Sequence, residues 1–277
     1  MTIAPAAPDL AAVKARQQKT WSSGDYAHVA SRIVLASERL ADSADLRAGW
    51  NVLDVACGSG NTSLAAARQG AHVVGVDYVP SLLDDGRTRA TAERLDVEFR
   101  LGDAEDLPAD DDSFDAVVSV FGTMFAPDHR RTAGEIVRVA RPGATVALAS
   151  WTPDGFIGQM FGVIGRHVAP PAGVRSPLLW GTESYVADLF GDSVAELRSN
   201  EQTQAFRYTS PEDFVGFFRR WYGPTLAAFA ALDDTGREAL AADLADLADL
   251  AGRHDRHGDD GSICIPASYL ETVITLR

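Results

Sequence analysis

The residues best suited to binding a ligand lie in residues 52–61, where a short apolar run leads into a Gly-Ser-Gly turn and then into a stretch of helical character. Glycine accepts backbone conformations that other residues avoid, so Gly58 and Gly60 would let a ligand approach the amino terminus of a helix. Asp54, within the apolar run, places a carboxylate next to that turn. A Gly-x-Gly pair alone is also compatible with a plain tight turn, so its interpretation depends on the surrounding residues.

Two further acids follow the next two apolar runs along the chain. Asp77 comes directly after residues 72–76, and Asp103 comes shortly after residues 97–101. Either acid taken alone could simply cap the helix that follows. The carboxyl ends of parallel strands meet at one edge of a sheet, however, so the three acids are expected to converge there. A carboxylate in such a position can accept hydrogen bonds from ribose hydroxyls.

The elements that would position these residues alternate between short apolar runs and helical stretches across residues 46–151. Such alternation is typical of βα units, and strands joined by helical crossovers run parallel. The apolar runs predict five strands, at residues 51–56, 72–76, 97–101, 114–120 and 144–151. The apolar spacing between them predicts three helices, at residues 62–69, 80–95 and 128–140.

The segment before this core is predicted to cover it. Residues 9–19 and 25–40 have the length and apolar spacing of two helices, which makes residues 1–45 a candidate lid. Residues 21–40 combine two aromatic side chains with a glycine hinge at Gly24, as a closing cover requires. An ordinary packed terminal helix is the alternative interpretation.

The segment after the core, residues 152–277, is predicted to supply helices and the last strands. Alternating apolar residues predict two late strands that close the sheet as an antiparallel pair, with a helical connection above the binding cleft. The helices are expected at residues 156–168, 211–221 and 234–251, and the strands at residues 205–208 and 269–276. We expect residues 1–277 to form one domain.

The glycine loop and its three acids resemble the class I S-adenosylmethionine (SAM)-dependent methyltransferases, in particular the small-molecule enzymes of the ubiquinone/menaquinone-biosynthesis type. The resemblance covers residues 21–151 and includes residues 114–119 and 135–143. The family often has two glycines after the proline of the latter segment, and Ala144 replaces the second one here. The resemblance implies an α/β fold with a Rossmann-like, seven-stranded, mostly parallel sheet and helices on both faces.

The resemblance also implies that SAM is the cofactor and which residues bind it. Asp54, Gly58 and Gly60 would surround its methionine end, and Asp77 would bind the ribose hydroxyls. Asp103 would accept a hydrogen bond from the adenine amino group.

Five more residues follow from the same resemblance. The backbone of Ala104 would face the adenine ring, and Tyr78 would pack against it. Val120 and Phe121 would lie beside the methionine moiety, although Phe121 is equally compatible with a place in the core. Tyr26 would contact the ligand from the amino-terminal cover.

Two other classes of protein compete with a methyltransferase. A nicotinamide-dependent oxidoreductase also uses a glycine loop and a later acid. Ser63 occupies the third glycine position of that motif, however, and Asp54 would stand close to a dianionic pyrophosphate, whereas a sulfonium and an ammonium tolerate nearby acids. A noncatalytic SAM-binding protein would carry the same loop and acids, so the sequence leaves it open.

The histidines give no assignment of a catalytic residue. His254 and His257 could bind a metal, but they lie in a Gly-, Asp- and Arg-rich run that more often forms a solvated loop, and no metal is predicted. His28 lies on the predicted lid and could face the acceptor. His129 is expected in the first turn of a helix.

Composition narrows the partners and the setting. A net charge of −14 opposes nucleic-acid binding, which depends on clustered basic residues. The two cysteines are too few for a disulfide framework, and no stretch has the length of a membrane span, so we expect a cytoplasmic protein without membrane association. The apolar residues 156–164, 214–221 and 226–229 favour a small, partly apolar acceptor. The oligomeric state is left open, a homodimer being one option.

Overall fold

A sheet of seven strands lies at the centre of the computed structural model, which describes residues 9–252 and 261–277. The strand order is β3-β2-β1-β4-β5-β7-β6. Strands β1 to β5 run parallel, and β7 lies antiparallel between β5 and β6. The strands are β1 (Asn51–Val55), β2 (His72–Asp77), β3 (Val97–Leu101), β4 (Phe114–Val120), β5 (Ala140–Trp151), β6 (Val194–Tyr208) and β7 (Ile263–Leu276). The predicted Rossmann-like α/β fold is confirmed.

Helices cover both faces of the sheet, as the burial of strand β1 shows. Successive side chains of a strand point to opposite faces, and all four residues from Val52 to Val55 are buried. The helices are α1 (Leu10–Trp21), α2 (Tyr26–Ala30), α3 (Val34–Ser43), α4 (Asn61–Arg68), α5 (Pro80–Glu93), α6 (His129–Val139), α7 (Phe156–His167), α8 (Glu183–Phe190), α9 (Pro211–Trp221), α10 (Gly223–Ala230) and α11 (Asp234–Gly252).

Several helices begin where the sequence supplies a side-chain cap. Asp9 and Asp25 accept hydrogen bonds from Ala12 N and Ala27 N at the starts of α1 and α2. At α9, Ser210 Oγ accepts from the backbone N–H of Asp213, which caps the helix. These short-range signals explain why the predicted starts of α1 and α9 lie within one residue of the observed ones.

The predicted single helix at residues 25–40 is wrong, because the chain turns between Ala30 and Val34. Two contacts account for the break. The Ala30 carbonyl accepts a hydrogen bond from Asn61 Nδ2, and the Arg32 guanidinium lies 4.0 Å from the centroid of the Phe217 ring. Both partners belong to distant parts of the chain, so local periodicity could not place the turn.

The late strands are longer than predicted. They pair along their whole length, from Val194 with Leu276 to Tyr208 with Ile263. The prediction at residues 205–208 stopped short because the first part of β6 is a polar edge of the sheet, where residues such as Glu196 and Glu201 are exposed. Helices α8 and α10 were not predicted at all. His254 and His257 lie outside the described residues.

Candidate active site

A cleft lies at the carboxyl ends of β1 to β4. In this strand order β1 has β2 on one side and β4 on the other, so the cleft lies where the order of the strands reverses, which is the usual ligand position in α/β sheets. Nine of the ten residues predicted to bind the cofactor line it. They are Tyr26, Asp54, Gly58, Asp77, Tyr78, Asp103, Ala104, Val120 and Phe121.

The glycine loop bends sharply between β1 and α4. Gly58 and Gly60 have φ angles of 54° and 83°, in the left-handed region that glycine tolerates best. Gly60 does not line the cleft; a Cβ there would lie 2.8 Å from Cζ of Phe99, so this position needs glycine for packing as well as for the turn. Ala56 adopts a φ of 53° without being glycine, and such strain concentrates at functional loops.

Asp77 connects the glycine loop to the end of β2. Its Oδ2 accepts a hydrogen bond of 2.9 Å from Gly58 N, and its Oδ1 accepts one of 2.9 Å from Val79 N. Burial raises the pKa of Asp77 to about 6, although these backbone donors oppose the shift. A carboxylate buried in this way gains from further hydrogen-bond donors in the cleft.

Asp54 lies beneath the same loop and is 1% exposed. Its Oδ2 accepts a hydrogen bond of 2.6 Å from Ser63 Oγ. Burial raises the pKa of the Asp54 carboxyl to about 7, and the neighbouring charge of Asp77 adds to the effect. Ser63 therefore supports this carboxylate instead of supplying the third glycine that a dinucleotide-binding loop would have.

Asp103 lies in the loop after β3 and is paired within the chain. Its Oδ2 lies 2.5 Å from Nζ of Lys14, and its Oδ1 accepts a hydrogen bond from Glu105 N. Lys14 also lies 2.6 Å from Oε2 of Glu105. Sequence reasoning missed Lys14 because it lies 89 residues from Asp103. The available signal was that Lys14 and Lys19 are the two lysines of the chain and lie on one short helix.

The loop after β4 closes the other side of the cleft. Phe121 has a φ of 53°, and its ring stacks on Trp151 with 3.7 Å between centroids. The residue thus belongs to the core and to the cleft wall at once. A Cβ on Gly122 would lie 2.5 Å from the carbonyl oxygen of Ala56, so the loops after β1 and β4 are packed tightly against each other.

An aromatic cluster covers the cleft from outside the sheet. The Trp21 ring contacts three others edge to face, with centroid distances of 5.7 Å to Tyr26, 4.9 Å to Phe125 and 5.6 Å to Tyr222. The Tyr26 ring also lies over the glycine loop, since a Cβ on Gly58 would come within 3.6 Å of Tyr26 Cε1. The cover therefore joins α1, α2 and the end of α9 above the loops that line the cleft.

The two described histidines considered for chemistry lie outside the cleft lining. His28 is half-exposed and stacks on Trp221 with 4.0 Å between ring centroids. His129 is the first residue of α6, as predicted, and its Nδ1 lies 2.8 Å from the hydroxyl of Tyr185. Burial lowers the pKa of His129 to about 4. Residues 9–252 and 261–277 contain no cluster of three or more metal-ligating side chains.

The lining residues fit SAM chemically. Asp54, Asp77 and Asp103 supply carboxylate acceptors, and Lys14 is the one basic side chain among the described residues of the lining. An acidic cleft of this kind suits a ligand that carries a cation together with hydroxyl and amino donors. The fold and the cleft thus define a Rossmann-like α/β protein with an acidic ligand cleft at the carboxyl ends of its parallel strands.

Comparison with known proteins narrows this class. A family model described as "Methyltransferase domain" matches residues 53–148. The uncharacterized protein Rv1405c of Mycobacterium tuberculosis is 39% identical over 248 residues, which cover 88% of this chain and 89% of the relative. A demethylmenaquinone methyltransferase of Clavibacter sepedonicus is 38% identical over 125 residues, covering 44% of this chain and 51% of the relative.

A solved structure agrees on the fold. A SAM-dependent methyltransferase from Thermotoga maritima superposes with a TM-score of 0.53 at 15% identity, covering 91% of this chain and 93% of that one. The chain belongs to the same family as Rv1405c, its residues 53–148 form a methyltransferase domain, and SAM is its cofactor. None of the helices in the described part of the chain is both long and apolar enough to cross a membrane.

Proposed function

We propose that this enzyme transfers the methyl group of SAM to a small, partly apolar acceptor held in line with that methyl group. The observation that carries the proposal is the meeting of Asp54, Asp77 and Asp103 with the aromatic cover of Trp21 and Tyr26 in one cleft. The cofactor supplies an electrophilic methyl group on a good leaving group. The chain has to bind and orient the cofactor and the acceptor, and it has to exclude water from the cleft.

The acidic residues bind the cofactor in this proposal. Asp77 takes the ribose hydroxyls, because both of its oxygens are held at the cleft by backbone N–H groups. Asp103 takes the adenine amino group beside the backbone of Ala104, and Tyr78 packs on the same side. Asp54 and Gly58 lie at the methionine end.

The nature of the acceptor is inferred from charge and from relatives. Lys14, the one basic side chain of the described lining, is already paired with Asp103, so no free cation is offered to a carboxylate or a phosphate. The aromatic rings of Trp21 and Phe125 favour an apolar surface. Relatives named demethylmenaquinone methyltransferase agree with an uncharged, partly apolar acceptor. The net charge of −14 opposes a nucleic acid.

Alignment and exclusion of water supply most of the acceleration in this proposal. Holding two reactants in a near-attack geometry is worth up to about 7 to 11 kcal/mol. No histidine lines the described cleft, and burial raises the pKa of the Tyr26 hydroxyl, so that this group stays protonated and serves as a hydrogen-bond donor. General-base assistance is therefore secondary. We assign residues 1–45 to the lid, 46–151 to SAM binding and 152–277 to the acceptor side.

An assay on the purified chain tests the proposal. Metabolite extracts are incubated with SAM and the enzyme, and products are sought whose mass is raised by one methyl group. Appearance of such a product with the wild type, and its absence with Asp77→Asn, supports the proposal. A chain that binds SAM yet methylates nothing would favour the noncatalytic alternative, and calorimetric binding of a nicotinamide dinucleotide in place of SAM would favour the oxidoreductase.

A further inference from the structure

Helix α1 presents three long polar side chains to the cofactor-binding loops. Lys14, Gln17 and Gln18 are spaced as i, i+3 and i+4, so they lie on one face of the helix. Each of them reaches a loop that follows a different strand, namely β3, β4 and β2. One helix therefore touches three of the loops that form the cleft.

The contacts are specific hydrogen bonds. Gln17 Nε2 donates to the carbonyl oxygen of Phe125 at 3.0 Å, and Gln18 Nε2 donates to that of Tyr78 at 2.6 Å. Lys14 Nζ lies 2.5 Å from Oδ2 of Asp103, as described above. Two of the acceptors are main-chain carbonyls, whose positions are fixed by the loops that carry Phe125 and Tyr78. These hydrogen bonds therefore form only while the loops keep their present positions.

Lys14 makes the strongest of these attachments. Its partner Glu105 is 3% exposed at the side chain, and Lys14 itself is 25% exposed. Burial would lower the pKa of the Lys14 ammonium, but the hydrogen bonds and charges of Asp103 and Glu105 outweigh burial and raise that pKa. Lys14 therefore stays charged, and it joins a carboxylate of the cofactor site to a carboxylate buried behind it.

Apart from Trp21, the rest of α1 makes little apolar contact with the protein. Val13 is the one buried residue of this helix. A helix with so small an apolar contact depends on its polar bonds and on Trp21 to remain in place. Its docked position is thus sensitive to any change in the loops that carry Tyr78 and Asp103.

We propose that Lys14 is a positioning residue that latches α1 over the adenine end of the cofactor site, so that α1 docks on the occupied site and must release before the demethylated product leaves. The inference rests on the proposed function, because it uses Asp103 and Tyr78 as the adenine side of the site. A ligand that fixes these two residues also fixes two of the three partners of α1. Docking of the helix and occupancy of the site consequently stabilise each other.

The first measurement is the dissociation rate of S-adenosylhomocysteine (SAH), the demethylated product, by stopped-flow displacement. Lys14→Gln removes the charge and should raise that rate about tenfold or more, as expected for the loss of a charge-assisted hydrogen bond. Lys14→Arg should restore most of the wild-type rate. Lys19→Gln is the matched control, because Lys19 lies exposed on the same helix. Equal rates for Lys14→Gln and Lys19→Gln would overturn the proposal.

The second measurement uses the same two lysines, the only ones in the chain, as internal probes. The wild type is treated with an amine-reactive reagent with and without saturating SAH, and modification is read by mass spectrometry. SAH should protect Lys14 and leave Lys19 unchanged. SAH binding without protection of Lys14 contradicts the latch alone. Absence of SAH binding would contradict the proposed function, and the latch with it.

Discussion

Burial raises the pKa of two carboxyl groups that line the cleft. The pKa of Asp54 is raised to about 7 and that of Asp77 to about 6, in each case chiefly by desolvation. Such groups are costly to ionise in the folded protein and ionise more readily once a cation or hydroxyl donors arrive. In the proposed binding mode, these two carboxylates add to cofactor affinity and lower the stability of the folded protein at neutral pH.

Substitution of Asp77 tests its proposed hydrogen bonds to the ribose hydroxyls of the cofactor. Asp77→Asn should weaken SAM binding by about one to two decades, because charge-assisted hydrogen bonds contribute about 1.5 to 3 kcal/mol each. Calorimetry gives the affinity, and Asp84→Asn, which changes an exposed carboxylate on α5, is the control. Wild-type affinity in a folded Asp77→Asn protein would remove this residue from the site.

Titration of Asp54 should govern both affinity and stability. Its pKa lies above the ordinary 3.8, so folding takes up a proton between about pH 4 and pH 7. The contribution of this group to stability is present at low pH and is lost as the pH rises through about 7. We expect Asp54→Asn to melt at a higher temperature than the wild type at pH 8, with the difference shrinking as the pH falls and vanishing near pH 4.

Binding should show the opposite trend. The ionised Asp54 attracts a cationic ligand, so SAM affinity of the wild type should fall as the pH is lowered from 7 to 5. In Asp54→Asn this dependence should be smaller and the affinity at pH 7 lower. Calorimetry across this range measures both, and a flat profile for the wild type would show that Asp54 does not face the methionine end.

At the scale of elements, deletion of α1 tests whether this helix contributes mainly to covering the cleft or to the stability of the fold. Removing residues 1–22 deletes this helix but leaves the Gly24 turn, whose backbone packs against Trp221. Because Val13 is the only buried residue of α1, the melting temperature should fall by only a few degrees, whereas turnover should fall at least about tenfold through loss of the cover. A truncated enzyme that methylates its acceptor at the full rate would show that α1 is an ordinary packed helix.

Two glycines, one in a turn and one inside a helix, should respond in opposite ways to replacement by alanine. Gly60 has a φ of 83° and faces Phe99, so Gly60→Ala should cost about 1 to 3 kcal/mol of unfolding free energy. Gly134 lies inside α6 with nothing within 4 Å of a Cβ placed there, so Gly134→Ala should add about 0.5 to 1 kcal/mol. Urea unfolding measures both. Equal effects would mean that neither site behaves as its backbone indicates.

The elements that could be predicted from the sequence are those whose signals are local. The parallel strands and their helices follow from apolar runs and periodicity, and the start of α9 follows from the cap at Ser210. The break after Ala30 was missed because its causes, Asn61 and the rings near Arg32, lie elsewhere in the chain. The same holds for the site: the acids next to strand ends could be named, while Lys14 is brought to Asp103 only by the fold.

At the scale of the whole molecule, charge acts on ligands before they reach the cleft. The chain has 39 acidic and 25 basic residues, which give the net charge of −14. A field of this sign concentrates cations near the surface and repels anions, within a Debye length of about 8 Å at physiological salt. SAM and SAH differ at one place, since the sulfonium of SAM carries a positive charge that the thioether of SAH lacks.

This difference makes the two ligands a matched pair for detecting electrostatic steering. The association rate constant of SAM should fall as the salt concentration rises, because added ions screen the attraction between a cation and an acidic protein. That of SAH, which is neutral overall at pH 7, should change little. The ratio of the two rate constants should thus be largest at low salt and approach one near 0.5 M, where the Debye length is only about 4 Å. Stopped-flow measurements over this range test the expectation, and a ratio independent of salt would mean that the acidic surface plays no part in capturing the cofactor.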